Sequence, residues 1–448
     1  MKYPRYPVYK DSGVEWVGEI PEHWEVRKLK HIVEKFVGGA TPSTNIENYW
    51  DGSIHWVAIS DVTNSSLISN TERRITELGM ESKQLSLLKA GTILYSMYAS
   101  VGKVAQLLVP ATTNQAVVGL VNSETMVLNQ YLKFSLESFE PFVGFLFSSN
   151  TQNNINEGKV RNISIPVPNH ETQKAILKFL KARNATIEIL LNKLTKMIEL
   201  LQEKRQAIIT HAVTKGLDPN VPMKDSGVEW IGGMPEQWKI LQLKRVMSCN
   251  DEVIPENTSP DEELAYVEIS DVDYPKGITD VKVLKFKNSP SRARRKVREG
   301  DIIISTVRTY LKAIAEIRNP PINMVVSTGF AVLRPRNIQQ TFAKYVLSSK
   351  YFLEMTISES IGVGYPAINT DKLISIKIPV PNNDTQSKIN EFLDHEIYKI
   401  DSLEFKLQKM TNILNDYRSS LISAAVTGKI DVRNIPLNES SRPELNDR

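Results

Sequence analysis

At 448 residues, with 41% hydrophobic and 24% charged side chains and a formal net charge of +4, the chain has the composition of a soluble globular protein of two or three domains. Its single cysteine, Cys249, excludes an intramolecular disulfide and fits a reducing cytoplasm, and no run approaches the roughly 18 apolar residues of a membrane span. The first seven residues lack the apolar stretch of a secretory signal, and a balance this close to neutral does not by itself point to nucleic acid.

In chain order, the first segment is Lys10-Asp-Ser-Gly-Val-Glu-Trp-Val-Gly-Glu-Ile-Pro-Glu-His-Trp24, which reads as a packing clip with buried tryptophans. A body of short β-rich runs follows, among them 54–60 and the strand Gly91-Thr-Ile-Leu-Tyr-Ser96 with glycine at the turn before it. The apolar stretch 131–147 predicts a helix packed on the sheet. Ile165-Pro-Val-Pro-Asn-His-Glu-Thr-Gln173 leads into a stretch without Pro or Gly from Thr172 to Gly216.

Everything then returns. Lys224 to Trp238 repeats the clip at a displacement of 214, Gly300-Asp-Ile-Ile-Ile-Ser305 repeats the strand, and 342–353 predicts the second packed helix. Ile378-Pro-Val-Pro-Asn-Asn-Asp-Thr-Gln386 repeats the helix start and Arg418 to Thr427 the helix end, both displaced by 213. A repeat this long is a duplicated domain, since solenoid units run to about 20–50 residues.

The two helices carry the clearest periodicity. Leu180, Ile187, Leu194, Leu201 and Ile208 recur every seventh residue, as do Leu393, Ile400, Leu407, Leu414 and Leu421. Leu190, Leu191, Met197 and Ile198 in the first copy, and Ile397, Leu403, Met410 and Tyr417 in the second, complete a seam of heptad type. Each helix would span about 60–68 Å at about 1.5 Å per residue. Pairing with each other is favoured over pairing with a second chain, because linked segments have the higher effective concentration. The expected organisation is α+β: two pseudo-symmetric α/β bodies separated by two long antiparallel helices. Its segments are 1–169, the helix 170–215, the second body 216–382, the helix 383–428 and a tail 429–448.

Catalytic motifs fail on inspection. Asn319-Pro-Pro-Ile322 is similar to the Asn-Pro-Pro-aromatic loop of amino-methyltransferases but lacks the aromatic that stacks a flipped base. Pro260-Asp-Glu-Glu could begin a nuclease carboxylate cluster, yet Ser270 stands where lysine is needed. Gly362-Val-Gly-Tyr365 is too short for a nucleotide fingerprint, and the six histidines (23, 31, 55, 170, 211 and 395) have no metal-ligand spacing. No enzyme site and no metal site emerge.

Polyanion binding is better represented. Residues 281–298 hold eight basic side chains and no acid, the composition that neutralises phosphates; a solvated basic face is the plain alternative. From this run Arg292, Arg294, Arg295, Lys296 and Arg298 are candidate backbone contacts. After the shared strand, Arg308, Tyr310 and Lys312 in one copy, and Ser100, Lys103, Asn114 and Gln115 in the other, are side-chain types that contact phosphates and read base edges. Lys159, Arg161 and Lys372, around an Ile-Asn-x-x-Lys step found in both copies, complete the set.

The Gly-x-Ile-(Leu/Ile)-x-Ser strand, the Ile-Asn-x-x-Lys step (Ile155, Asn156 and Lys159; Ile368, Asn369 and Lys372), the Ile-Pro-Val-Pro-x-x-x-Thr-Gln helix start and the Ala-Val-Thr helix end running into Gly216 or Gly428 occur in order and twice. Together they resemble the DNA specificity subunit of type I restriction–modification systems across almost the whole chain. The resemblance implies a subunit without catalytic activity or cofactor of its own. Each body would read one half of a split site on double-stranded DNA, and the paired helices would set the gap and dock two methyltransferase (modification) subunits. Those and the restriction/translocase subunits would supply the chemistry with AdoMet, Mg²⁺ and ATP. It transfers no base-contacting residue, because the bodies are the variable part. Two other readings stay open: a two-headed protein-binding adaptor, and the DNA-reading part of another restriction–methylation enzyme.

Overall fold

A computed structural model describes residues 3–146, 154–274 and 276–436. The chain divides into two compact units: 1–194 with 409–448, and 195–408. This division differs from the linear order of segments, because both boundaries fall inside the long helices His170–Lys215 and Asn383–Val426. Each unit therefore contains part of both helices.

In the first unit a five-stranded sheet is ordered Lys35–Gly38, Val117–Val121, Ile93–Ser96, Val104–Leu107, Leu67–Ile68, and a three-stranded sheet is ordered Ala111–Thr113, Trp50–Val57, Arg73–Ile75. The unbroken apolar strand Ile93–Ser96 is buried on both faces. Ile93 and Tyr95 enter the core shared with the helices, and Leu94 enters the core between the sheets. The second unit repeats this logic with two four-stranded sheets, in which Ile302 and Ile304 face the helical core and Ile303 faces the other. The central pairs match: Ser96 lies opposite Val117, and Ser305 opposite Phe330.

Local chemistry fixes where each long helix begins. Asn169 and Asn382 precede the two helices, and their side-chain oxygens accept from the backbone N–H of Thr172 and Thr385 at 2.9 Å, which satisfies free donors of the first turn. One residue further, the buried Gln173 and Gln386 donate to the carbonyls of Pro168 and Pro381 and accept from the N–H of Leu128 and Gln339. These amides tie the helix to the start of the body's own packed helix, so the repeated Thr-Gln pair joins body to helix.

The helix ends are held by the clips. In the first unit Pro21 and Trp24 close on Gly428, and the hydroxyl of Tyr9 donates to the Gly428 carbonyl at 3.0 Å. In the second unit Pro235 and Trp238 close on Gly216. Both glycines adopt a positive φ (+73° and +79°), the left-handed cap that ends a helix without a Cβ clash. The tail 429–436 is part of the first unit: Ile430 and Val432 are in its core, and the N–H of Asp431 donates to the Pro4 carbonyl.

Several expectations change. Of the heptad positions, Leu180, Ile187, Leu194, Leu393, Ile400, Leu407 and Leu421 are buried, while Leu201, Ile208 and Leu414 are half-buried. Near its end the first helix buries Ile209, Ala212 and Val213 instead, because there it packs on the second unit's body. Met197, Leu403, Met410 and Tyr417 are exposed and do not belong to the seam. In the second unit Arg205 occupies a buried position and pairs with Asp401 and with Glu404 (3.0 Å). Residues 342–353 form two helices, Gln340–Ser348 and Lys350–Ser358, broken at the extended residue Ser349. The first-copy helix is Asn129–Phe139; a tighter turn, Glu140–Leu146, follows where Pro141 supplies no N–H, and Phe147 lies outside the described residues. The clip tryptophans also differ. Trp16 is buried against Phe139 and Phe142, whereas Trp230 at the repeated position is 48% exposed and has no ring partner among the described residues.

Two structural predictions follow from a buried carboxylate and a half-buried imidazole. Asp301, 1% exposed, receives the Arg334 guanidinium through two bonds of 2.7 and 2.8 Å and also accepts from the N–H of Arg298, pinning the start of the strand Ile302–Ser305. Asp301→Ala leaves Arg334 partly unpaired and should cost about 3–5 kcal/mol. Asp301→Asn, which keeps an acceptor, should cost less; urea unfolding of the second unit reads both. His55 is the second case. Thr71 gives its hydroxyl proton to the Arg73 carbonyl (2.7 Å), so the His55 ring must donate from Nδ1 to Thr71 (3.1 Å). Burial, and then the charge of Arg74, lower the His55 pKa. NMR should show it titrating below about 6.5. Stability from the neutral ring is complete above that value and is lost as pH falls through the folded pKa.

Candidate nucleic-acid interface

In both units the backbone brings three segments to one edge: the loop after the central strand, the turn before its other antiparallel neighbour, and the residues leading into the Ile-Asn step. In the first unit the N–H of Met97 donates to the Ala116 carbonyl (2.7 Å) and that of Ile155 to the Met97 carbonyl (3.0 Å). In the second, the N–H and hydroxyl of Thr306 donate to the Gly329 carbonyl (2.8 and 2.9 Å), and the N–H of Ile368 donates to the Thr306 carbonyl (2.8 Å). The scaffold is the same; the side chains on it are not.

The first edge is neutral and polar. Ser96, buried at the strand end, accepts from the Lys103 N–H and donates to the Ser100 carbonyl, folding 96–103 back on itself. Ala99 is held at φ +55°, and the Lys103 ammonium pairs with Glu140 at 2.5 Å. Asn114 caps the turn by accepting from the Ala116 N–H (3.0 Å), while the exposed Gln115 accepts from the Thr41 hydroxyl at 2.6 Å. Ser100, Lys103, Asn114 and Gln115 thus share one edge, and Thr41 joins them. Its loop is anchored from below, where the indoles of Trp50 and Trp56 donate to the carbonyls of Ser43 and Ala40. Sequence reading missed Thr41, for only the tertiary pairing with Gln115 marks it.

The second edge is cationic and aromatic. Arg308 and Lys312 both adopt left-handed backbone (φ +51° and +52°) around a tight turn, Thr309–Leu311. Such geometry costs non-glycine residues on the order of 1–2 kcal/mol each. It is held here by the N–H of Arg308 on the Pro366 carbonyl (2.7 Å) and by the Thr309 and Ser360 hydroxyls at 2.8 Å. The result turns Tyr310, 52% exposed, outward and stacks Arg308 over the ring of Tyr365 at 4.9 Å. The exposed Arg292 lies at the same edge, its carbonyl accepting from the N–H of Thr328 in the turn before Phe330–Pro335 (2.8 Å). Lys372 is also here, paired with Glu359 at 3.3 Å.

The basic run 281–298 does not form one patch, because it winds through a sheet. Lys282 pairs with Glu268 and Asp271, which together raise its ammonium pKa to about 12, and Lys285 and Lys287 share Asp261. Arg295 is half-buried; it donates to the Asn250 side chain (2.6 Å) and the Phe330 carbonyl, a structural role in place of the expected phosphate contact. Arg294 lies over Phe286 at 5.1 Å. Lys296 ends its strand away from the edge, and Arg298 pairs with Glu252 (2.7 Å) at the opposite end of the central strand. In the first unit Lys159 reaches the Leu146 carbonyl, while Arg161 pairs with Glu157 (2.7 Å) and covers Phe36.

No group of three or more His, Cys, Asp or Glu residues that could hold a metal is found among the described residues, and none of their helices is long and apolar enough to cross a membrane. The half-buried Cys249 thiol is pushed up to about 11 by burial, which makes it a poor nucleophile.

The family model for the type I restriction modification DNA specificity domain matches residues 21–200 and again 235–412. The chain is 23% identical over 427 residues to the type I restriction enzyme MjaVIII specificity subunit of Methanocaldococcus jannaschii, covering 93% of this chain and 95% of that one. A more similar but local match, 33% over 175 residues, links 38% of the chain to 40% of the MjaIX specificity subunit of the same organism. In fold it is similar to a solved chain described under complex assembly and conformational transition of the type I R-M system, with a TM-score of 0.61 at 16% identity, covering 91% of this chain and 98% of that one. With two matched domains spanning most of its length, the chain belongs to the family of type I restriction–modification DNA specificity subunits.

Proposed function

We propose that the chain is the non-catalytic DNA-reading subunit of a type I restriction–modification complex, and that it recognises a bipartite, asymmetric target with one unit on each half. The observation that carries this reading is the repeated edge: one backbone arrangement bears Ser100, Asn114, Gln115 and Thr41 in the first unit and Arg292, Arg308, Tyr310 and Lys312 in the second. Hydrogen-bonding amides and hydroxyls suit base edges, whereas guanidinium and ammonium groups suit guanine edges and phosphates. Two chemically different readers on one frame fit two different half-sites.

The long helices act in this reading as the spacer between half-sites and as the docking surface for two modification subunits. Their heptad seam supports the first role. Exposed apolar side chains support the second: Tyr398 and Phe405, seven residues apart on the second helix, are 74% and 73% exposed and have no packing role within their unit. Methyl transfer, translocation and cleavage, with AdoMet, Mg²⁺ and ATP, belong to the partner subunits. This chain's own residues position DNA.

The deciding experiment is long-read sequencing of host DNA with the gene intact and deleted. A split modified motif that disappears on deletion is expected; an unchanged methylome would overturn the reading. Arg292→Ala with Arg308→Ala in the assembled complex should weaken binding to all sequences and lower the salt-dependence slope by about one per lost phosphate contact. Unchanged affinity across salt concentrations would remove both from the interface. Deleting the heptad 194–200 should change the permitted gap between half-sites and leave their bases alone; altered bases at an unchanged gap would refute the spacer. Tyr398→Ser with Phe405→Ser should reduce co-purification of the modification subunit without altering the chain's thermal transition.

A further inference from the structure

Beside Arg308 the second unit carries a narrow projection. Ile361 and Ala367 exchange two backbone hydrogen bonds (2.9 and 3.0 Å) and close a five-residue loop, Gly362-Val-Gly-Tyr-Pro366. Gly362 sits at φ +118°, a conformation that L side chains rarely adopt, and Gly364 has open space around it. The tip is therefore one side chain wide. That side chain is Val363, 106% exposed, flanked by Ile361 at 73% and Tyr365 at 71%. Three apolar side chains within five residues, all in water, mark a surface meant to be covered.

Charge identifies what covers it. Arg308 stacks on Tyr365 within the projection, Arg292 lies on the same edge through its contact with Thr328, and neither forms an ion pair among the described residues. The nearby carboxylate of Glu359 is neutralised by Lys372. An apolar point beside unpaired guanidinium groups fits duplex DNA, with phosphates for the cations and base faces for the point. A single thymine methyl is too small to cover all three side chains; an opened base step is not. We propose, resting on the reading above, that the 361–367 loop drives Val363 as a wedge into one base step of the half-site read by the second unit, with Tyr365 packing beside it.

The repeat supplies an internal control. At the corresponding positions the first copy reads Ser148-Ser-Asn-Thr-Gln-Asn-Asn154, with no apolar residue, so the wedge belongs to one half-site only.

The test uses the full chain assembled with its modification subunit on duplexes carrying 2-aminopurine, placed in turn at each position of the mapped motif apart from the methylated bases. Fluorescence should rise at one step in one half-site and at none in the other. Val363→Ser should abolish that rise and weaken cognate binding by about 10-fold or more, the scale of one base-stacking contact, with non-specific binding unchanged. Val363→Leu should retain the rise, and both variants keep the wild-type thermal transition because the tip packs on nothing. A complex that modifies its split motif but gives the same fluorescence with Val363→Ser overturns the wedge and leaves the reading standing. A complex without any sequence preference removes both. If Val363→Ser instead costs co-purification with the modification subunit, the tip is a protein contact and the proposal falls.

Discussion

Each long helix is tied to its body by one buried amide. Gln173 and Gln386 lie at 0% and 1% exposure with hydrogen bonds in both directions, to the proline carbonyl just before the helix and to the start of the packed helix in the body. Losing either would leave buried donors and acceptors unsatisfied at the point where the chain changes from sheet to helix. The glycine caps at Gly216 and Gly428 do the same for the other helix ends, each seated under a clip tryptophan. The two edges inherit their orientation from these few joints, since the central strands share a core with the helices so anchored.

Burial on both faces explains why the two edges match in backbone and differ in side chain. Ile93–Ser96 and Ile302–Ser305 must stay apolar, and their antiparallel pairing at Ser96–Val117 and Ser305–Phe330 must stay in register, because a one-residue slip would turn core side chains into the wrong layer. Beyond the strand ends no such constraint acts. One copy there carries Asn114 and Gln115; the other carries Tyr310 in a turn flanked by Arg308 and Lys312 on strained backbone held by neighbouring hydrogen bonds. Strain retained at an exposed edge accords with a surface shaped for a ligand.

Charge by sequence proved a poor guide to charge in space. Residues 281–298 read as one basic run, yet strand alternation and folding send Lys282, Lys285, Lys287 and Arg298 to separate carboxylates and Arg295 into the half-buried interior. Arg292, which has no ion pair among the described residues, stays at the edge from within the run, and Arg308 joins it from the loop after the next strand, Ile302–Ser305. Conversely, the Gly362–Tyr365 stretch, meaningless as a nucleotide motif, gains sense from its projection beside them.

By itself the sequence determined the duplication, the two long helices with most of their seam, the matching central strands and the family, since each rests on local periodicity or on words repeated at a fixed displacement. Tertiary structure decided what depends on long-range pairing. It returned the tail 429–436 to the first unit, left Trp230 exposed where Trp16 is buried, removed Met197, Leu403, Met410 and Tyr417 from the seam, and joined Thr41 to Gln115. The physical reason is common to all four. A side chain's burial and partners are set by what the fold places opposite it, and for these residues that surface lies far away in the chain.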